Sequence, residues 1–185
     1  MVVVEPVDIV AALLRALGED PSRPGLADTP ARVAAAYAEL LSGRDIDPAS
    51  VLEALPGEHG TGLIVAKDIR LASLCEHHLL PFVGTAAVAY LPGEDGRICG
   101  ISKLTRLIDV LGKRLQVQER LVSQAADAVE KALAPRAVLV YAEAEHLCMT
   151  MRGARAEGSR IVTTEVRGLW AADAAARAEI LSLIR

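Results

Sequence analysis

The chain has 185 residues, of which 52% are hydrophobic, so its length fits one domain with a small extension and a core can be buried. A net charge of −4 without a basic stripe argues against a nucleic-acid binder, and no run approaches the roughly 18 apolar residues needed to span a bilayer. Three cysteines, an odd number without framework spacing, and an N-terminus lacking a basic n-region predict a reduced, cytoplasmic protein.

Residues 6–18 carry Val7, Val10, Leu13, Leu14 and Leu17 at helical spacing, with Gly18 as a stop. GEDPSRPGLADTP reads as a loop. Thr29 then serves as an N-cap and Pro30 as the first residue of a helix running to about Leu41. Residues 54–61 read as loop, including His59, which is expected to be solvated. Leu63–Leu74 and Phe82–Leu91 have strand character, and the second of them ends in the turn Pro92–Gly96. Ser102 is placed as the cap of a helix over 103–114. Residues 119–134 give the clearest helical stripe, with Leu121, Ala125, Ala128, Val129, Ala132 and Leu133 on one face and Pro135 as the stop. Two more strands span Ala137–Glu145 and Ser159–Val166, then a last helix runs over 171–184. Hairpin-linked strands around paired helices predict an α+β fold with an antiparallel sheet. The apolar count leans on Ala and Val, with only 3% aromatic residues, so burial between subunits would help such a core.

The rare residues are concentrated. Three of the four histidines and two of the three cysteines fall in two short segments, SLCEHHLLPF and EAEHLCMTMRG. Cys75 and His78 have the C-x-x-H spacing that lets one turn present a thiolate and an imidazole to a metal, with Cys148 arriving from a distant strand end. Alone, such a motif is weak, and a buried cysteine is commonly just a small core residue. The paired clustering favours a metal site. Structural zinc usually takes four protein ligands, whereas three leave a position open for water, which zinc makes a nucleophile near neutral pH. His77 and His146 are then the acid–base candidates. Cys99 has no companion and reads as structural. Glu76 is read as a supporting or surface group.

The chain also carries a basic group. Lys103 and Arg106 share a helix face beside Ser102, and the first N–H groups of that helix suit phosphate. Arg152 trails Cys148 by four residues, and Arg32 opens the TPARVAAAY helix. Each alone is ordinarily a solvated charge; their grouping beside the histidine segments raises the case for an anion site. Gln118 and Glu119 begin the 119–134 helix. A carboxylate there can accept two parallel hydrogen bonds from guanine, yet on spacing alone Glu119 reads as a partner of the helix dipole.

The ordered segments CEHHLLPFVG, GISKLTRLIDV, KRLQVQERL and EAEHLCMTMRG, supported by GLADTPARVAAAYAELLSG and VTTEVRG, resemble those of the GTP cyclohydrolase I family from about residue 23 onward. The resemblance implies a tunnelling fold, an antiparallel sheet with two long helices per subunit, whose subunits join through their sheets into a barrel. It implies a toroidal homodecamer with active sites between subunits. Residues 1–55 would form an N-terminal helical arm and 56–185 the catalytic domain. It further implies Zn2+ held by Cys75, His78 and Cys148, catalysis by His77 and His146, a guanine anchor at Glu119 with Gln118, and triphosphate contacts from Ser102, Lys103, Arg106, Arg152 and Arg32. The reaction implied is zinc-assisted hydrolytic opening of GTP at C8, release of formate, an Amadori rearrangement and closure to 7,8-dihydroneopterin triphosphate. Two departures stand out. Ala35 occupies a place where some relatives have lysine, which would weaken GTP affinity. Trp170 replaces an expected Phe, read as a packing change.

Overall fold

The structure, a computed structural model, describes residues 4–57 and 62–185. His59 lies outside the described residues. The chain divides into two compact units, Met1–Ser42 and Gly43–Arg185. The division falls earlier than residue 55 because Leu52 is buried in the core of the second unit and the 3-10 turn Pro48–Val51 packs there with it.

The first unit is a helix pair, α1 (Pro6–Ala16) and α2 (Thr29–Leu40). Proline supplies the first turn of both, where its missing N–H costs nothing. The second cap is Asp28 rather than Thr29, which is itself the first helical residue. Pro30 is the one described residue of α2 that is buried, and α1 buries none.

The second unit is built on a five-stranded sheet of order β5-β2-β3-β6-β7: β2 is Ile64–Cys75, β3 Pro81–Leu91, β5 Leu115–Gln116, β6 Ala137–His146 and β7 Ile161–Gly168. All neighbours are antiparallel except β5, which runs parallel to β2 at Leu74 and Cys75. A separate two-stranded pair joins β1 (Ala54–Leu55) to β4 (Ile98–Cys99), so part of the expected 54–61 loop is paired. One sheet face packs on α3 (Ile101–Gly112) and α4 (Gln118–Leu133), the two long helices. Phe82, Ala86, Val88 and Tyr90 alternate onto that face of β3, opposite Val138, Val140, Ala142 and Ala144 of β6. The other face carries Ala87, Ala89, Leu139 and Tyr141 beneath α6 (Leu169–Ala172) and α7 (Ala174–Ile184), where Trp170, Ile180 and Ile184 are buried. The fold is therefore α+β with an antiparallel sheet, as the pattern predicts.

Further boundaries differ from the sequence expectation. Gly100, not Ser102, caps α3. The last helix is broken at Asp173, whose carboxylate accepts from Ala176 N–H at 3.0 Å and starts a new helix. Ala134, in the left-handed region at φ 43°, ends α4 one residue before Pro135.

Candidate active site

The site is set by strand direction. β2 and β6 both run antiparallel to β3, one on each side, so both end at the same end of the sheet. Phe82 is the shared reference: it pairs with Ser73 of β2 and with His146 of β6. Cys75 lies two residues beyond Ser73, and Cys148 two beyond His146, in the short helix α5 (Leu147–Thr150). Two strand spacings would hold the segments about 10 Å apart. The chain closes that gap by turning inward on both sides.

On the β2 side the turn is tight. Leu79 N–H donates to Cys75 carbonyl O at 2.8 Å and Cys75 N–H to Leu80 carbonyl O at 2.9 Å, with Leu79 in the left-handed region at φ 55°. Glu76 N–H donates to Gln116 carbonyl O at 3.1 Å. The Glu76 carboxylate is gripped by both terminal nitrogens of Arg120 on α4, at 2.5 and 2.8 Å. This fork-to-fork pair fixes the turn against the helix.

The result is a cluster in which the Cys75 and Cys148 sulfurs and a ring nitrogen of His78 all lie within 4.8 Å of one another. Ligands of a tetrahedral zinc at about 2.0–2.3 Å stand a little under 4 Å apart, so only a small contraction is needed. Two soft sulfurs with one imidazole suit zinc, and three protein ligands are the catalytic rather than the structural count. Burial pushes the Cys148 thiol up, and the Cys75 sulfur adds to this, while the Arg152 charge works the other way. Arg152 is thus electrostatically part of the site.

The two remaining histidines have different surroundings. His77 is exposed, with Nδ1 3.8 Å from Cys75 Sγ and its ring edge-on to His78. His146 is half-buried and lies flat on Phe82, centroids 4.7 Å apart and planes within 5°. Burial lowers the His146 pKa, against an opposing pull from the Glu119 carboxylate. Glu119 is exposed at the start of α4. Gln118 is not: none of its surface is accessible, and its amide is fully occupied by protein groups. The Gln118 side chain points into the protein because it shares the buried stripe of α4 with Leu121, Val122 and Ala125.

The basic residues are not gathered in one chain. Ser102, Lys103 and Arg106 sit at the N-terminal end of α3, next to Cys99, whose N–H donates to Tyr90 Oη at 3.2 Å. Tyr90 is at the far end of β3 from Phe82, eight residues or about 26 Å away. Lys103 pairs there with Glu53 at 3.1 Å. Arg32, in the first unit, bonds Asp28 at 3.3 Å and Thr29 at 3.1 Å. Sequence reasoning missed Phe82 as the histidine platform and Arg120 as the clamp on Glu76. Both stand inside the motif segments, Phe82 as the only phenylalanine of the chain.

The family model for GTP cyclohydrolase I matches residues 7–185. The protein called GTP cyclohydrolase 1 in Mycolicibacterium paratuberculosis is 56% identical over 175 residues, covering 95% of this chain and 86% of that one. Its namesake in Mycobacterium tuberculosis is 54% identical, covering 95% and 87%. Among solved structures, an archaeosine synthase QueF-Like in the apo form is similar over 59% of this chain and 96% of that one, at 19% identity and a TM-score of 0.47. By the span of the family match and the identity to these relatives, the chain belongs to the GTP cyclohydrolase I family.

Proposed function

We propose that this chain is a zinc-dependent GTP cyclohydrolase I, converting GTP and water to formate and 7,8-dihydroneopterin triphosphate. The observation that carries the reading is the Cys75–His78–Cys148 cluster, with ligand atoms within 4.8 Å. The chemistry such an ion supplies is a water acidified to near neutrality, hence a nucleophile for C8 of the purine.

The chain's own groups do the rest. Glu119, exposed at the start of α4, accepts two hydrogen bonds from the guanine edge. His77 stands beside Cys75, close enough to exchange protons with the purine's imidazole nitrogens as the ring opens. His146, whose neutral form burial favours, is suited to take and return protons in the Amadori step. Arg152 flanks the metal ligands, and Ser102, Lys103, Arg106 and Arg32 hold the triphosphate.

The separation of the α3 phosphate residues from the cluster within one chain supports a site shared between subunits, with the phosphate group of one copy facing the metal group of another. A homodecamer closed through sheet edges fits this reading, and the cysteines, free in the fold, fit the reducing cytoplasm. No described helix is long and apolar enough to cross a membrane.

The test is incubation with GTP followed by oxidation and fluorescence detection of neopterin, with formate measured in parallel. Both products are expected. Cys148→Ser should lose bound zinc and turnover together. A protein that holds no divalent metal, or turns over GTP equally well without one, would sink the reading.

A further inference from the structure

Gln118 is the first residue of α4 and has no exposed surface. Its Nε2 lies 3.1 Å from Ala142 carbonyl O, 2.9 Å from Ile161 carbonyl O and 3.0 Å from Thr163 Oγ1. Its Oε1 lies 2.8 Å from Nε2 of His146. The orientation of this amide is settled by chemistry. Backbone carbonyls only accept, so the end facing two of them must be the NH2 group. The reverse orientation would press the amide oxygen against two carbonyl oxygens, with only the Thr163 hydroxyl able to donate to it. The end facing His146 is therefore the oxygen, which also only accepts. His146 Nε2 must then carry a hydrogen.

The ring has little freedom to answer otherwise. It lies flat on Phe82, its neighbour in the β3–β6 register. The carbonyl and hydroxyl partners of Gln118 belong to β6 and β7, where Ala142 pairs with Thr163 and Ala144 with Ile161. The amide is thus anchored to two strands before it meets the imidazole.

We propose that Gln118 is a positioning residue for His146: it holds the ring in place on Phe82 as the Nε2–H tautomer, so that Nδ1 is the nitrogen without a hydrogen. This rests on the reading of the site as a GTP-hydrolysing centre. It gives Gln118 a role through His146 instead of a contact with the substrate.

Two measurements test it. In a neutron crystal structure of the wild-type holoenzyme, a deuteron is expected on His146 Nε2, directed at Gln118 Oε1. A bare Nε2 facing the amide nitrogen overturns the proposal, whatever the activity. In kinetics, Gln118→Leu is expected to lower kcat roughly 10- to 100-fold, the usual cost of losing such an orienting partner, with zinc content kept and KM for GTP within about threefold. In a His146→Ala background the same substitution should cost less than about twofold more, because its effect passes through the missing ring. A raised KM with kcat held, or an undiminished loss in the His146→Ala background, refutes it. Absence of GTP turnover in the wild type would strike the functional reading instead, and the neutron result would still stand.

Discussion

Tyr90 shows how one buried hydroxyl ties stability to pH. The residue has no exposed surface, and its oxygen accepts from Cys99 N–H. Burial pushes its pKa from 10.0 up to about 12. The unfolded chain loses the phenolic proton first, near pH 10, while the folded chain keeps it until about pH 12. Stability is therefore full below pH 10 and falls as pH rises through that window, by on the order of 2–3 kcal/mol from this group. Burial also raises the Cys99 thiol, which acts in the same sense. Urea titrations at pH 8 and 11 should show Tyr90→Phe losing less stability than the wild type over that span, though not zero. The Glu76–Arg120 pair acts differently. It is exposed, so it adds little to global stability, but it fixes the turn that carries Cys75, His77 and His78. Arg120→Met should leave the urea midpoint nearly unmoved and weaken zinc binding roughly tenfold in competition with a chromophoric chelator. Binding to the Cys148 thiol, whose pKa is raised, must expel a proton. On that account this one thiol contributes about a tenfold climb in zinc affinity per pH unit below its pKa, and the second thiolate ligand steepens the dependence further.

At the scale of elements, the register between β3 and β6 is what holds the site together, and Gly84 sits in the middle of it. A Cβ at Gly84 would meet Glu143 carbonyl O and come within 2.6 Å of Ala144 Cα, both on the facing strand. Backbone cannot give way there as a flexible side chain can. Gly84→Ala should therefore push the strands apart beside the Phe82–His146 pair, at a cost of about 1–3 kcal/mol read as a lower urea midpoint. The long elements are legible in the sequence because each has a period to read: alternation in β3 and β6, the apolar stripe in α4. The short ones are not. β1, β4 and β5 are two residues each, too few for any pattern, and exist only because a partner strand is nearby. Asp173 reads as one polar residue in an alanine-rich helix, and only its bond to Ala176 N–H marks it as a cap. The Cys75–His78–Cys148 cluster is legible from the clustering of rare residues. Gln118 reads as a substrate contact by resemblance, although it stands three, four and seven residues before Leu121, Val122 and Ala125. That spacing alone puts it on the buried face of α4.

At the scale of the whole molecule, a single chain leaves much unfinished. β2 has an outer partner only at Leu74 and Cys75, and β7 has none on its outer edge among the described residues. Long open edges invite pairing with further strands. Val7, Ile9 and Leu13 of α1, with Leu17 at its C-cap, are all exposed apolar side chains that water disfavours. Above all, the α3 residues proposed for phosphate lie at the Tyr90 end of the sheet and the Cys75–His78–Cys148 cluster at the Phe82 end. One nucleotide cannot bridge about 26 Å of strand, so under the proposed assignments a working centre would take the two groups from different copies. This makes a prediction sharper than mass alone. Sedimentation should give a species many times 19.5 kDa. Lys103→Ala and Cys148→Ser, each nearly inactive alone, should recover activity when co-expressed, because mixed assemblies contain centres whose phosphate side and metal side are both intact. With random mixing of two variants in a closed symmetric ring, roughly a quarter of the centres would be whole. If each centre lay within one chain, every centre would carry one defect or the other, and the mixture would be no more active than its parts.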